Sequence, residues 1–178
     1  DQTQFEFHYV YFLPWKDQMV DSLVANGGRV VCIKPNNNLH LMLKVSAVIS
    51  YVKKHRIQII HAHLPWAGIL ARLVGKFAGV PVIYTEHNKQ ERYHVATRIM
   101  NLATLNWLTC IVSVSADVEQ SIRKHKRRLN TRLQTILNGV NVGYFVPGIF
   151  KGKDVRLALG IPEKAPVVGT IAVFRFQK

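Results

Sequence analysis

The chain has 178 residues, 48% of them hydrophobic, and 24 Lys plus Arg against 10 Asp plus Glu leave a net charge of +14. That apolar share excludes a disordered chain and is enough for one ordinary domain with a piece of a second. Charged residues interrupt every apolar run before the ~18 residues of a membrane-spanning helix, and the opening residues do not read as a secretory leader. Cys32 and Cys110 lie in apolar runs and read as buried thiols, which fits a reducing, cytoplasmic location. The positive surplus favours polyanions, whether nucleic acid, an anionic membrane surface or phosphorylated small molecules.

In chain order, "FEFHYVYFL" (5–13) is aromatic and β-branched and predicts a strand, and "KDQMVDSLVANGG" predicts a short helix closed by Asn26 and Gly27. "RVVCIK" (29–34) is the next strand. After the turn residues "PNNN", apolar positions at Leu41, Val45, Val48, Ile49 and Val52 predict a helix from 39 to 55. Then follow strand "IQIIHAH" (57–63), a helix over 65–78 stopped by Gly79, strand "VPVIYTEH" (80–87), and a long helix over 91–107. Strand "TCIVSVS" (109–115), a helix over 116–128 and strand "LQTILNG" (133–139) complete the alternation. Alternating βα units with buried strands imply an α/β fold, a parallel doubly wound sheet with helices on both faces.

Ligands of such sheets bind beyond the carboxyl ends of the strands. Four successive strands end there in polar groups: His61 and His63, then Glu86, His87 and Asn88, then Ser113 and Ser115, then Asn138. Histidines two apart on a strand face the same side, so His61 and His63 belong together at one strand end. His61, His63 and His87, with Glu86 beside them, could supply a metal's ligands, but no HExxH, CxxC or aspartate-rich set accompanies them, and the GxSxG elbow of a serine nucleophile and the GxGxxG of a dinucleotide site are also missing. A histidine cluster, helix N-termini and scattered cations remain as the chemistry of the cleft.

Three segments in register, "IIHAHLPWAGILARLVGKFAGVPVIYTEHN" (59–88), "VSVSADVEQSI" (112–122) and "TILNGVNVGYFVPG" (135–148), resemble the amino-terminal domain of family 4 glycosyltransferases, retaining enzymes of the GT-B fold. The resemblance implies two Rossmann-like domains facing across a cleft, the first binding a saccharide or lipid-linked acceptor and the second a nucleotide-sugar donor, with no metal and no other cofactor. Residues 1–145 would be the acceptor domain, and 146–178 the linker and first strand of the donor domain.

On this resemblance His63 is the catalytic position at the transfer centre, polarising a sugar hydroxyl. His61, His87, Asn88 and Ser115 fall at acceptor-binding positions, Ser115 also reading as the N-cap of the helix over 116–128. Asn138, in a "NGVN" turn whose Asn-Gly pair tolerates positive φ, falls with Arg175 and Lys178 on the donor side. The two cations stand at the end of strand "VVGTIAVF" (167–174), where paired charge would hold a departing diphosphate.

The resemblance further implies a central strand ahead of "FEFHYVYFL" and donor-domain helices after Lys178, so that the 178-residue segment is expected to be inactive by itself. The run "SIRKHKRRLNTRL" (121–133) holds six Lys or Arg and no acid, and "KKHR" (53–56) ends the helix expected over 39–55. These suit a solvated helix end or a peripheral contact with the cytoplasmic membrane face. The rival reading is a basic, non-catalytic domain for nucleic acid or an anionic membrane; the glycosyltransferase reading expects no nucleic-acid partner.

Overall fold

The structure is a computed structural model that describes residues 4–144, 155–162 and 164–169. The chain divides into two units, Asp1–Leu137 and Asn138–Lys178. The first alternates β1 (His8–Tyr11), α1 (Val20–Ala25), β2 (Arg29–Cys32), α2 (Asn38–Leu43), α3 (Val45–Lys54), β3 (Ile60–His63), α4 (Pro65–Ala78), β4 (Val82–Glu86), α5 (Val95–Thr104), β5 (Cys110–Ser113), α6 (Ala116–His125) and β6 (Arg132–Thr135). In the second unit the described residues include one short helix, α7 (Val155–Ala158).

Every strand pair is parallel, as the alternation requires. The strands fall into two sheets, β1-β2 and β3-β4-β5-β6, with His63 opposite Thr85 and Glu86 opposite Ser113. α4 is the element around which the unit packs. Its Ala71 joins Ala62, Val82, Tyr84, Ile111, Val118 and Ile122 on one side of the larger sheet, while Leu70 and Val74 join Leu41 and Val52. Fully burying one such Leu, Ile or Val contributes about 1.5–3 kcal/mol. The opposite face of the larger sheet is open enough to leave His61 and His63 exposed and Ile83, Cys110 and Val112 half-buried.

The bounds of α4 follow from its ends. Pro65 occupies the first turn, where no backbone N–H is needed, and Gly79 closes the helix at φ 71°. Gly75 lets α4 lie directly on the sheet: a Cβ there would meet Val82 Cγ2 at 2.2 Å and the Val80 carbonyl at 2.7 Å. Gly75→Ala is therefore expected to lower stability by about 1–3 kcal/mol, read as a fall in the urea midpoint at unchanged slope.

Several elements differ from expectation. The helix expected over 39–55 is two, because the backbone tightens at Lys44, whose N–H bonds to Leu41 O at 3.0 Å, and α3 restarts from the Lys44 carbonyl. Its apolar side, including Val45, Val48, Ile49 and Val52, packs into the cluster around α4 and leaves only the basic end for any surface contact. The helix expected over 91–107 is α5 between two 3₁₀ turns, Gln90–Arg92 and Leu105–Trp107. The first turn is tied down by a buried Gln90, whose N–H donates to Ser121 Oγ at 2.8 Å.

Neither Asn138 nor Gly139 has positive φ. The turn forms three residues later, where Asn141 accepts the Tyr144 N–H on its carbonyl and the Gly143 N–H on Oδ1. The residues expected as strand "VVGTIAVF" carry no regular structure over 167–169, and 170–174 lie outside the described residues. Cys32 and Cys110 are free thiols on strands, as expected, but Cys32 is exposed and Cys110 half-buried rather than buried.

Candidate functional site

The open face of the larger sheet presents three imidazoles from two adjacent strand ends. Alternation along β3 turns Ala62 into the core and sets His61 and His63 side by side, their rings 4.5 Å apart. His61 Nε2 lies 2.8 Å from Thr85 Oγ1, on the neighbouring strand. His63 Nδ1 lies 3.0 Å from Nε2 of His87, the residue that follows β4, with the rings 5.3 Å apart. Partial burial, followed by the neighbouring imidazoles, moves His61 and His63 below the ordinary imidazole value of 6.5. The fold thus favours their neutral forms, a stabilisation fully present above 6.5 and lost as pH falls from there through the lowered folded-state values.

Directly after His63 the backbone makes an unusual step. Leu64 adopts φ 70° and ψ 150°, a region ordinarily left to glycine, and its carbonyl accepts the Gly68 N–H at 2.8 Å. That step turns the chain abruptly from β3 into α4, so the imidazole sits at the very end of its strand. Strain of this kind collects at functional sites.

Beneath the histidines lies a buried polar network that the sequence did not reveal. Glu86 alternates to the opposite side of β4 from Thr85 and is wholly buried. Its carboxylate accepts from Tyr84 Oη (3.0 Å), Gln90 Nε2 (2.7 Å), Asn101 Nδ2 (3.1 Å), the Asn88 N–H (3.3 Å) and Tyr93 Oη. Arg72 of α4, equally buried, donates from Nη1 to Asn101 Oδ1 and Thr104 Oγ1, each at 2.9 Å, and stacks 4.5 Å over the Tyr84 ring. Gly68 makes room for that ring, since a Cβ there would approach it to 2.6 Å. Burial pulls the Arg72 guanidinium down to about 10 and pushes the Tyr84 hydroxyl up; Arg72 is still charged at neutral pH. The only hint in the sequence is an arginine within the apolar run of α4.

The expected site residues therefore separate. His61, His63 and His87 come together. Asn88 donates from its side chain to Tyr93 Oη at 3.5 Å and from its N–H to Glu86, so it belongs to the loop that the network shapes. Ser115 caps α6 by accepting the Val118 N–H at 3.3 Å, and Ser113 is buried against Thr135. Asn138 belongs to the second unit, and Arg175 and Lys178 lie outside the described residues. Among the described residues no three His, Cys, Asp or Glu side chains are placed to hold a metal ion, and no helix is long and apolar enough to cross a membrane.

Alongside β3 runs a groove of about 380 Å³, predominantly apolar. One wall is the edge of β1 and the residues after it, including Tyr11, Leu13 and Lys16; the other is the edge of β3 with His61 and His63. Val52 of α3 and Leu70 of α4 form part of its floor. The sequence pattern of Glycosyltransferase Family 4 matches residues 4–144. The chain belongs to this family.

The chain is also similar to known proteins over part of their length. The chain is 25% identical over 162 residues, 85% of its length, to UDP-Gal:alpha-D-GlcNAc-diphosphoundecaprenol alpha-1,3-galactosyltransferase of Escherichia coli, of which it spans 41%. Its fold matches a glycosyltransferase from Rickettsia africae ESF-5 with a TM-score of 0.71 at 17% identity, over 93% of this chain and 44% of that one. It also matches Anabaena Alr3699/HepE, solved in complex with UDP, with a TM-score of 0.66 at 14% identity, over 88% of this chain and 50% of that one. This family 4 chain thus has the α/β fold of part of a GT-B glycosyltransferase and spans half or less of each of these proteins.

Proposed function

We propose that this chain is the acceptor-side part of a longer enzyme that transfers a sugar, with retention, from a nucleotide-sugar donor to a saccharide or lipid-linked acceptor. The observation that carries this reading is the cluster of His61, His63 and His87 at adjacent parallel strand ends, in a chain of family 4. Strand ends of parallel sheets are where such folds bind ligands. The E. coli relative, named for a UDP-galactose donor and a diphosphoundecaprenol-linked acceptor, supports both substrate classes.

In this reading His63 contacts the transferred sugar, donating a hydrogen bond from Nε2 to a hydroxyl. Its Nδ1 is already engaged with His87, so Nε2 is the nitrogen left for a ligand. Partial burial keeps the ring neutral, which suits a hydrogen-bond donor rather than a cation. His61 and His87 flank the acceptor. Asn138, Arg175 and Lys178 serve the donor side, where two cations would stabilise the departing diphosphate without a metal.

The test uses a longer polypeptide carrying this chain and the segment that follows it. Incubated with UDP-sugars and a polyprenyl-diphosphate sugar, it is expected to release UDP and extend the acceptor, and the 178-residue chain by itself to release none. Absence of transfer from every donor tried, together with salt-sensitive binding to anionic vesicles or RNA that survives loss of His63, would favour the basic non-catalytic module instead.

A further inference from the structure

His87 engages His63 through one nitrogen of each ring, and that contact constrains where both rings carry their protons. A neutral imidazole has one N–H and one bare nitrogen. At 3.0 Å, His63 Nδ1 and His87 Nε2 are within hydrogen-bond distance only if one of them is protonated and the other bare. Two arrangements satisfy this. In one, His87 donates and His63 carries its own proton on Nε2. In the other, His63 donates from Nδ1 and its Nε2 is bare.

We propose that His87 is the positioning residue of the site, donating its Nε2–H to His63 Nδ1 and so holding His63 as the tautomer whose Nε2–H points a donor at the sugar. This deepens the function proposed above and rests on it for the choice between the two arrangements. The geometry has a consequence for pH. In that arrangement the nitrogen left bare is His87 Nδ1, so hydrogen added there leaves both the contact and the His63 donor in place. A second would put hydrogen on both facing nitrogens and break the contact.

A group beside the pair acts in the same direction. His61 stands 4.5 Å from His63 on the same strand, anchored to Thr85, and Lys16 lines the groove. His61, once protonated, opposes added positive charge on His63. The Glu86 carboxylate is turned to the other side of β4 and is taken up by its own donors.

The decisive experiment is long-range ¹⁵N–¹H NMR of the 178-residue chain labelled at histidine, with His63 and His87 assigned from the His63→Gln and His87→Gln spectra. At pH 8 His63 is expected to be protonated on Nε2 in the parent chain and to become a mixture of both tautomers in His87→Ala. His63 protonated on Nδ1, or a tautomer mixture already present in the parent chain, overturns the proposal whether or not the protein transfers sugar. In the longer enzyme His87→Ala is expected to lower kcat about tenfold and to narrow the acid limb of the pH profile, while His87→Gln, whose amide can donate from the same place, restores most of the rate. An unchanged acid limb in His87→Ala, with His63 nonetheless on Nε2, would show that the contact does not act on catalysis and would equally overturn the positioning role.

Discussion

Arg72→Ala is expected to cost the chain about 3–5 kcal/mol, the range for removing one member of a buried charged network. The guanidinium is wholly buried, donates to Asn101 and Thr104, and covers the Tyr84 ring. Removing it leaves the Glu86 carboxylate as a buried charge whose remaining partners are neutral donors, and leaves the Asn101 oxygen without its donor. Two nitrogens of Arg72, Nε and Nη2, are buried with no hydrogen-bond partner. Their exclusion from water is offset by the stacked ring and by the field of Glu86. Arg72→Lys keeps the charge but loses the flat guanidinium that stacks on the Tyr84 ring, so it should fall between the parent chain and Arg72→Ala. Urea unfolding followed by circular dichroism measures the series, and an Arg72→Ala loss below about 1 kcal/mol would contradict the buried network as the support of the loop that carries His87.

The second large effect concerns chemistry rather than stability. In a longer, active polypeptide His63→Ala should lower kcat/KM by about 10²- to 10³-fold, the scale seen when one preorganised hydrogen-bond donor is removed from a transition state. The same substitution in the 178-residue chain should move the unfolding free energy by no more than about 0.5 kcal/mol. His63 is exposed, and its ring meets only other imidazoles among its described hydrogen-bond and ring contacts. Steady-state kinetics paired with urea midpoints separate the two effects. Unchanged kinetics would remove His63 from the transfer centre, and a large loss of stability would make it a structural histidine instead.

These two substitutions sit on opposite faces of one strand pair, which explains why a single strand end carries both support and chemistry. Thr85 and Glu86 are neighbours in sequence, yet Thr85 anchors His61 on the open face while Glu86 gathers five donors in the interior. The loop from Asn88 to Tyr93 is bound to that interior carboxylate, and His87 is the residue that joins the two environments.

What the sequence determined by itself was whatever depends on near neighbours. Period and punctuation located α4 from Pro65 to Gly79, since a proline start and a glycine stop act within one helical turn. The strand period brought His61 and His63 to one side, and serine at position 115 announced its own cap. The alternation of elements gave the parallel fold, and three motifs in register pointed to the family. The tertiary structure alone decided that His63 pairs with His87, 24 residues away, because that depends on the register of β3 against β4. It alone placed Glu86 inward among Arg72, Tyr84, Gln90 and Asn101, which come from two helices, a strand and a turn. Local preference reaches about one helical turn or one strand step, whereas a buried charge is satisfied by whichever donors the packed chain brings to it.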